Sequence, residues 1–158
     1  MRAIYPGSFD PITYGHLDII ERCSSKFNSV LVAVLNNNSK KSLFDINERV
    51  DMIKEVTSNF KNVEVKSFDG LMVDFAKLEG VDVIIRGLRA VSDYEYELQM
   101  SLANKTLNPN IETLFLVSSV KYLHLSSSLV KEIASYKGDI SSFVPPQIEK
   151  RLLNKLNK

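Results

Sequence analysis

Five short runs of β-branched and other apolar residues alternate with segments of helical periodicity along this chain. The runs lie at residues 3–5, 30–35, 63–65, 81–85 and 113–117. Most of them are almost continuously apolar, which is typical of strands that are buried on both faces of a sheet. This alternation constrains the fold more than any other feature, because strands that are joined through helices run parallel within one sheet.

The segments between and after these strands carry signals for helix starts and helix ends. Helices are predicted at residues 16–27, 45–59, 71–79, 92–107, 127–136 and 146–156. Asp45 and Glu48 form a capping-box pattern, Gly80 and Gly138 follow helix ends, and Pro146 stands in a first turn. The sequence therefore predicts an α/β fold: a doubly wound, five-stranded parallel sheet with helices on both faces.

Composition limits the classes of function. The length suits a single domain, 1–158, and the formal net charge of +1 gives no bulk attraction to nucleic acid or to a membrane surface. The single cysteine, Cys23, excludes an internal disulfide, and its apolar helical neighbours favour a buried structural role. No signal-peptide core and no apolar run of the ~20 residues of a membrane helix occurs. We expect a cytoplasmic protein that binds neither nucleic acid nor a membrane.

Ligands of doubly wound sheets bind where strands end and helices begin. After the first strand, residues 6–11 lead to a helix that starts near Gly15 and His16. A helix N-terminus attracts phosphate, while Gly7 permits close backbone approach and the Ser8 hydroxyl can donate. The other common phosphate-loop patterns, G-x-G-x-x-G and G-x-x-x-x-G-K-[ST], are absent from the sequence. The alternative for His16 is an ordinary, partly exposed residue of a capped helix.

The loops after the second and fourth strands carry cations. Residues 36–42 include Lys40 and Lys41, which either follow a phosphate or are solvated surface lysines. Arg86 and Arg89 surround a glycine at the fourth strand end, where arginine suits bidentate phosphate contact. The alternative is that both arginines meet solvent or pair with nearby acids, which are Asp93, Glu95 and Glu97.

The segment after the fifth strand contains Ser126, Ser127 and Ser128 at a predicted helix start. Serines there are ordinary N-caps, but they also supply hydroxyl and N–H donors to an anion. Each of these signals is modest alone. Four strand ends of one sheet, each with phosphate-type donors, together indicate a phosphate-binding edge.

Several of these segments carry a family resemblance. Two of them resemble motifs of the nucleotidyltransferases that share their α/β core with class I aminoacyl-tRNA synthetases. Thr13-Tyr14-Gly15-His16 resembles the H-x-G-H motif, and residues 125–131 resemble the I-S-S-T-x-x-R motif. The run Y-P-G-S-F-D-P-I-T-Y-G-H, the loop at residues 39–41 and the highly specific block at residues 85–97 are closer still. Together they resemble the bacterial phosphopantetheine adenylyltransferase family over essentially the whole chain.

This resemblance implies a Rossmann-like nucleotidyltransferase fold and transfer of an adenylyl group from ATP to 4′-phosphopantetheine. The products would be dephospho-coenzyme A and pyrophosphate, a step of coenzyme A biosynthesis. It also implies Mg²⁺ on the phosphates and, as is usual in the family, a homohexamer.

The resemblance also implies roles for individual residues. Those implied to bind ATP are Ser8, Phe9, His16, Gly87, Leu88, Arg89, Glu97, Tyr122, Leu123, His124, Leu125, Ser126, Ser127 and Ser128. Those implied to bind phosphopantetheine are Ser8, Lys40, Met72 and Arg86. His16 would stabilise the α-phosphate in the transition state with Lys40 on the other side. The departing pyrophosphate would be held by Ser127, Ser128 and Arg89.

Some positions depart from the family pattern. Ser8 stands where threonine is common and keeps the hydroxyl, whereas Lys131 replaces the superfamily arginine and is given no catalytic role. His124 either contacts adenine or acts only as a spacer. Asp10 is expected to hold the first loop by hydrogen bonding, and no residue is assigned as a metal ligand because the strand ends lack a carboxylate cluster.

Two other functions compete with this interpretation. The first is the same chemistry on another phosphate monoester, such as nicotinamide mononucleotide or glycerol 3-phosphate. Two features argue against this alternative. They are the block at residues 86–89 and the apolar stretch 68–75, which would suit one wall of a site for a pantetheine arm. The second is a catalytically silent nucleotide-binding module. The argument against it is the presence of His16, Lys40, Arg86 and Arg89.

Overall fold

Five parallel strands form one sheet in the order β3-β2-β1-β4-β5. The computed structural model describes residues 1–36, 41–89 and 91–157. The strands are β1 (Arg2–Gly7), β2 (Ser29–Leu35), β3 (Val63–Phe68), β4 (Val83–Leu88) and β5 (Glu112–Val117). The helices are α1 (Tyr14–Lys26), α2 (Ile46–Val56), α3 (Met72–Leu78), α4 (Val91–Leu107), α5 (Ser127–Ser135) and α6 (Pro146–Leu156), with a short 3₁₀ helix at Val120–Tyr122. The predicted doubly wound fold is confirmed.

Apolar side chains fill both faces of the sheet. On one face, alternate residues of β1, β2 and β4 pack with α1, α2, α5 and α6, and Cys23 lies fully buried in this layer as predicted. On the other face, Ile4, Leu31 and Ile84 pack with Val73 of α3. The central strands are therefore apolar on both faces, which explains their continuous hydrophobic runs.

The strand order reverses between β1 and β4. The chain builds β1, β2 and β3 outward in one direction, returns to form β4 beside β1, and then adds β5 on that side. All four pairings are parallel, so the carboxyl ends of the strands meet at one edge. A crevice opens at such a reversal, between the carboxyl ends of the two strands.

Three strands extend further than the sequence pattern indicated: β3 continues to Phe68, and the extensions of β1 and β4 reach the candidate site. β1 continues through Gly7, which pairs with Val34 of β2. β4 continues through Arg86 and Leu88, where the sequence pattern placed a loop. Both extensions carry candidate site residues on the ordered end of a strand, which fixes their backbone more firmly than a loop does.

The end of α5 differs in detail from the prediction. The left-handed backbone conformation falls on Lys137, with φ of 61°, and not on Gly138. Gly138 is still required there, because a Cβ atom would lie 2.5 Å from Cγ2 of Ile133. In residues 1–36, 41–89 and 91–157, no helix combines the length and the apolar character needed to cross a membrane.

Candidate active site

A cleft lies at the strand reversal, between the carboxyl ends of β1 and β4. Its walls are completed by the start of α1 and by the segment that leads into α5. The lining residues are Tyr5, Pro6, Gly7, Ser8, Phe9, Thr13, Gly15, His16, Arg86, Gly87, Arg89, Glu97, Ser118, Tyr122, Leu125, Ser126 and Ser127. Most of the ATP-binding residues that the sequence implied therefore share one cleft.

His16 occupies the third position of α1, where a capping box with Thr13 fixes its imidazole. The Thr13 backbone N–H donates to Nδ1 of His16 at 3.1 Å, and the His16 N–H donates to Oγ1 of Thr13. Because a backbone N–H can only donate, Nδ1 is the unprotonated nitrogen and Nε2 carries the hydrogen. His16 therefore presents an N–H donor to the cleft that it lines.

Burial keeps this imidazole neutral. Desolvation, with a smaller contribution from the nearby Arg89 guanidinium, lowers the pKa of His16 to about 4. The Phe9 ring packs edge-on against the imidazole, with ring centroids 5.0 Å apart. At neutral pH the His16 imidazole is thus uncharged, with Nε2–H as its hydrogen-bond donor.

The loop between β1 and α1 is held from several sides. Phe9 has φ of 47°, and a Cβ on Gly7 would lie 2.9 Å from the Phe9 ring, so only glycine leaves room for it. The carboxylate of Asp10 accepts hydrogen bonds from the N–H groups of Leu43 and Phe44, and from Nζ of Lys131 at 2.7 Å. Asp10 therefore holds the loop, as the sequence analysis expected.

The two arginines of β4 and its end each have an acidic partner on α4. Arg86 makes a bidentate pair with Glu97, with nitrogen–oxygen distances of 2.6 and 2.5 Å, and its Nη1 donates to the Pro6 carbonyl at 3.2 Å. Arg89 pairs with Asp93 at 3.3 Å and donates to the carbonyl of Leu125. Both arginines therefore pair with acids of α4, which was the alternative to phosphate contact in the sequence analysis.

The serines at the start of α5 have distinct contacts. Ser126 is the N-cap, and its Oγ accepts from the Leu129 N–H at 3.1 Å. The Ser127 hydroxyl donates to the Pro11 carbonyl at 2.7 Å, which joins the α5 start to the first loop. Ser128 is exposed and lines a small neighbouring cleft together with Lys131.

A second, largely apolar cleft adjoins the first. It is lined by Pro6, Gly7, Ser8, Leu35, Phe68, Gly70, Leu71, Met72, Ile84, Arg86, Tyr96, Glu97, Met100, Ser101, Asn104 and Thr113. Ser8 and Arg86 line both clefts. The two clefts therefore meet at the carboxyl ends of β1 and β4.

A few predicted site residues lie elsewhere. Leu88 and Leu123 are outside the lining of both clefts, and the exposed His124 packs edge-on against Phe143 with centroids 5.9 Å apart. Lys40 falls outside the residues that the structure describes.

Sequence reasoning did not single out several residues of the site. Thr13 orients His16, and the T-x-x-H spacing of a capping box was the available signal. Tyr5 and Ser118 line the first cleft without any motif that announces them.

Side chains that could hold a metal ion are not clustered in the residues that the structure describes. Within the described part of the chain, no group of three or more His, Cys, Asp or Glu residues could hold a metal ion. Asp10 is the carboxylate of the first loop, and its oxygens already accept three hydrogen bonds. These side chains do not form a resident metal site.

The fold and this cleft define a class of enzyme, the nucleotidyltransferases. Residues 4–133 match the family model described as cytidylyltransferase-like. A solved Plasmodium falciparum nicotinic acid mononucleotide adenylyltransferase, complexed with NaAD, has a TM-score of 0.71 and 16% identity, with coverage of 99% of this chain and 94% of that chain. At this identity the likeness shows the fold alone.

Curated relatives narrow the class to one family. The phosphopantetheine adenylyltransferase of Caldanaerobacter subterraneus subsp. tengcongensis is 57% identical over 156 residues, which cover 99% of this chain and 98% of the relative. The same enzyme from Staphylococcus haemolyticus is 52% identical over 99% of this chain and 98% of its own length. That from Clostridium perfringens is 53% identical over 98% of this chain and 94% of its own length. The chain belongs to the phosphopantetheine adenylyltransferase family.

Proposed function

We propose that this chain transfers the adenylyl group of ATP to 4′-phosphopantetheine, forming dephospho-coenzyme A and pyrophosphate. One observation carries the proposal beyond family membership: a polar cleft with phosphate-type donors meets an apolar cleft at Ser8 and Arg86. The polar cleft suits ATP, and the apolar cleft suits the pantetheine arm. Their junction suits the two reacting phosphates.

The reaction needs little proton transfer. An oxygen of the acceptor's phosphate monoester attacks the α-phosphorus of ATP, a new P–O bond forms, and the bond from the α-phosphorus to the bridging oxygen of pyrophosphate breaks. The nucleophile is already ionised at neutral pH, so catalysis rests on positioning and on stabilisation of charge. A neutral His16 fits this need better than a strong base.

His16 stabilises the transition state in this proposal. Its Nε2–H donates to an oxygen of the α-phosphate as negative charge grows there. The hydrogen bond from the Thr13 N–H to Nδ1 fixes the tautomer and the ring orientation beforehand. The unpaired N–H groups at the start of α1 favour the same negative charge.

The remaining site residues divide between the two substrates. The ATP group comprises Ser8, Phe9, Gly87, Arg89, Glu97, Tyr122 and residues 125–128, whereas Leu88, Leu123 and His124 lie away from the clefts and take no part in it. Arg89 with Ser127 and Ser128 holds the pyrophosphate as it leaves. The acceptor group comprises Ser8, Lys40, Met72 and Arg86, with Lys40 reaching the α-phosphate opposite His16.

Glu97 orients Arg86 in this arrangement. Its carboxylate engages Nε and Nη2 of Arg86, so the guanidinium plane is fixed before substrate arrives. Nη1 then remains as the donor nearest the strand ends, where it contacts the Pro6 carbonyl. A phosphate dianion at the junction of the clefts competes with that neutral carbonyl and gains a charge-assisted hydrogen bond.

Magnesium enters this proposal with the substrate. Mg²⁺ prefers phosphate oxygens and water, and holds few protein ligands in many nucleotide sites. It would arrive on the ATP phosphates and offset part of their charge.

The proposal also concerns the location of the protein in the cell and its self-association. We infer that it is a cytoplasmic, single-domain protein that self-associates, up to the hexamer implied by the resemblance. Exposed apolar residues on α4, β5 and the 3₁₀ helix support self-association; they are Tyr94, Leu102, Leu107, Val117 and Val120. We call this surface the α4–β5 face.

Acceptor choice tests the proposed function. Pyrophosphate release from ATP and Mg²⁺ is measured with 4′-phosphopantetheine, nicotinamide mononucleotide and glycerol 3-phosphate in parallel. We expect release with 4′-phosphopantetheine alone. Release with another acceptor would keep the chemistry and refute the acceptor assignment, and ATP binding without release would indicate a silent nucleotide-binding module.

A further inference from the structure

Arg49 of α2 is a buried cation with an unusual set of partners. It is only 3% exposed and makes no ion pair among the described residues. Its Nη1 donates instead to two backbone carbonyls, that of Ser8 at 2.7 Å and that of Leu35 at 3.0 Å. One guanidinium nitrogen thus joins the carboxyl end of β2 to the loop that follows β1.

Such a residue is costly to keep. Burial lowers the pKa of Arg49, and the charges of Asp10 and Asp45 offset this only in part. Within the described part of the chain, its buried Nε has no hydrogen-bond partner. Arg49 also lies in the first turn and a half of α2, where the helix dipole disfavours a cation. If this side chain served only to fill space in the core, an apolar residue would do so at a lower free-energy cost than a buried charge.

The Ser8 contact sets the direction of one peptide group. In a trans peptide the C=O and the N–H point to opposite sides. Because the Ser8 carbonyl points to the buried Arg49, the N–H of Phe9 points away from it. Phe9 lines the ATP cleft and has the left-handed φ of 47°, which a phenylalanine rarely adopts without support.

We propose that Arg49 is a positioning residue for nucleotide binding: it holds the Ser8–Phe9 peptide so that the Phe9 N–H faces the phosphates of ATP. This inference rests on the proposed function, because it assigns ATP to the cleft at β1 and β4. Arg49 is almost fully buried and borders the small cleft of Ser8, Ser128 and Lys131, and in this proposal it makes no contact of its own with either substrate. It acts through the backbone of the loop and through its simultaneous hold on the end of β2.

The test is ATP affinity without any acceptor, measured by calorimetry with ATP and Mg²⁺. Arg49→Met keeps an unbranched, flexible stem and removes the guanidinium with all of its donors. We expect ATP to bind about 10- to 100-fold more weakly, the scale for one misplaced charge-assisted hydrogen bond. In steady-state assays we expect kcat/KM for ATP to fall similarly, with the KM for 4′-phosphopantetheine changed less than about threefold.

A matched control distinguishes an effect on the position of the loop from a general loss of stability. Met52 lies one turn further along α2 and is fully buried, but it belongs to the apolar layer and lines neither cleft. Met52→Ala should lower thermal stability while leaving the dissociation constant for ATP within about threefold of wild type. If Arg49→Met binds ATP like wild type, or if Met52→Ala loses as much affinity, the positioning role is refuted.

A second variant keeps the inference testable if Arg49→Met does not fold. Arg49→Lys keeps the buried charge but cannot reproduce the planar guanidinium contact with both carbonyls. We expect ATP binding to weaken at least about threefold, and unchanged binding would overturn the inference. Because ATP affinity is read without an acceptor, a wild type that binds ATP but does not adenylylate 4′-phosphopantetheine would refute the proposed function and leave this test intact.

Discussion

In the proposed mechanism His16 acts as a neutral donor because of the atoms packed around it. The Thr13 N–H occupies Nδ1, Phe9 covers one side of the ring, and burial lowers the pKa of the imidazole to about 4. Each of these contacts favours the same tautomer in the same orientation. The site is therefore arranged before ATP arrives, which is how electrostatic stabilisation contributes most.

Replacement of His16 tests its role directly. We expect His16→Ala to lower kcat by about two to three orders of magnitude, the scale for loss of one oxyanion donor. The affinity for ATP should change little, because the donor acts mainly in the transition state. The exposed His124 supplies the control, and His124→Ala should retain turnover. Full activity in His16→Ala would refute the role.

The pH dependence of stability gives a second test of His16. The unfolded chain binds a proton at His16 below the ordinary pKa of 6.5, whereas the folded chain does so only near pH 4. Stability contributed by the neutral imidazole is thus present above pH 6.5 and lost as pH falls toward 4. We expect wild type to lose about 1–2 kcal/mol more than His16→Gln between pH 7 and pH 5 in urea unfolding. Parallel profiles for the two proteins would contradict this pKa.

Sequence spacing was enough to single out His16 and Ser8, which both line the cleft, because a phosphate loop and a helix start are local patterns. The partner of Arg86 was not determined by spacing, since Asp93, Glu95 and Glu97 are all close to it in sequence. Only the rotation of α4 against β4 brings Glu97 to the guanidinium. Arg49 gave no signal at all, because an arginine in a helix usually faces solvent.

At the scale of elements, Asp10 connects three parts of the chain. Its carboxylate accepts from the two N–H groups that precede α2 and from Lys131 of α5. Burial alone would raise the pKa of Asp10, but these hydrogen bonds lower it below its ordinary range. The first loop, the start of α2 and the start of α5 therefore keep a fixed relation around the cleft.

A double-mutant cycle on Asp10 and Lys131 measures this connection. We expect Lys131→Met to lower the free energy of unfolding by about 1–3 kcal/mol, because it leaves a mostly buried carboxylate without its cation. Asp10→Asn should remove most of that penalty in the double variant. Additive losses in urea unfolding would show that the pair does not couple the two elements.

The order and type of the elements were predictable, but three strand ends were not, among them those of β1 and β4. Pro6 and Gly7 resemble loop residues, as does Gly87, so local propensity ends the strands early. Pairing of Gly7 with Val34 and of Gly87 with Leu116 extends both strands. The missing information was tertiary, because a strand end depends on the neighbour with which it pairs.

At the scale of the molecule, one topological feature places the whole site. The strand reversal between β1 and β4 brings the carboxyl ends of both strands to one crevice, together with the helix starts of α1 and α5. Parallel alternation in the sequence predicted that such an edge exists. It did not predict that an apolar cleft joins it beside α3 and α4, since that depends on how those two helices pack.

Self-association is a test at this scale. We expect light scattering to give a mass well above the 17.9 kDa of one chain. Leu102→Glu, which places a charge on the α4–β5 face, should lower that mass. Leu78→Glu changes a residue that is more exposed and lies on α3, and should leave it unaltered. A wild type at the mass of one chain, or a lower mass only in Leu78→Glu, would refute this interface.

The central claim is that the two clefts bring ATP and 4′-phosphopantetheine together for adenylyl transfer. The most direct measurement is mass-spectrometric detection of the products after incubation of the purified protein with ATP, Mg²⁺ and 4′-phosphopantetheine, with pantetheine as the acceptor that lacks the phosphate. We expect dephospho-coenzyme A and pyrophosphate in equal amounts, and no adenylylated product from pantetheine. Pyrophosphate without dephospho-coenzyme A, or equal transfer to pantetheine, would contradict it.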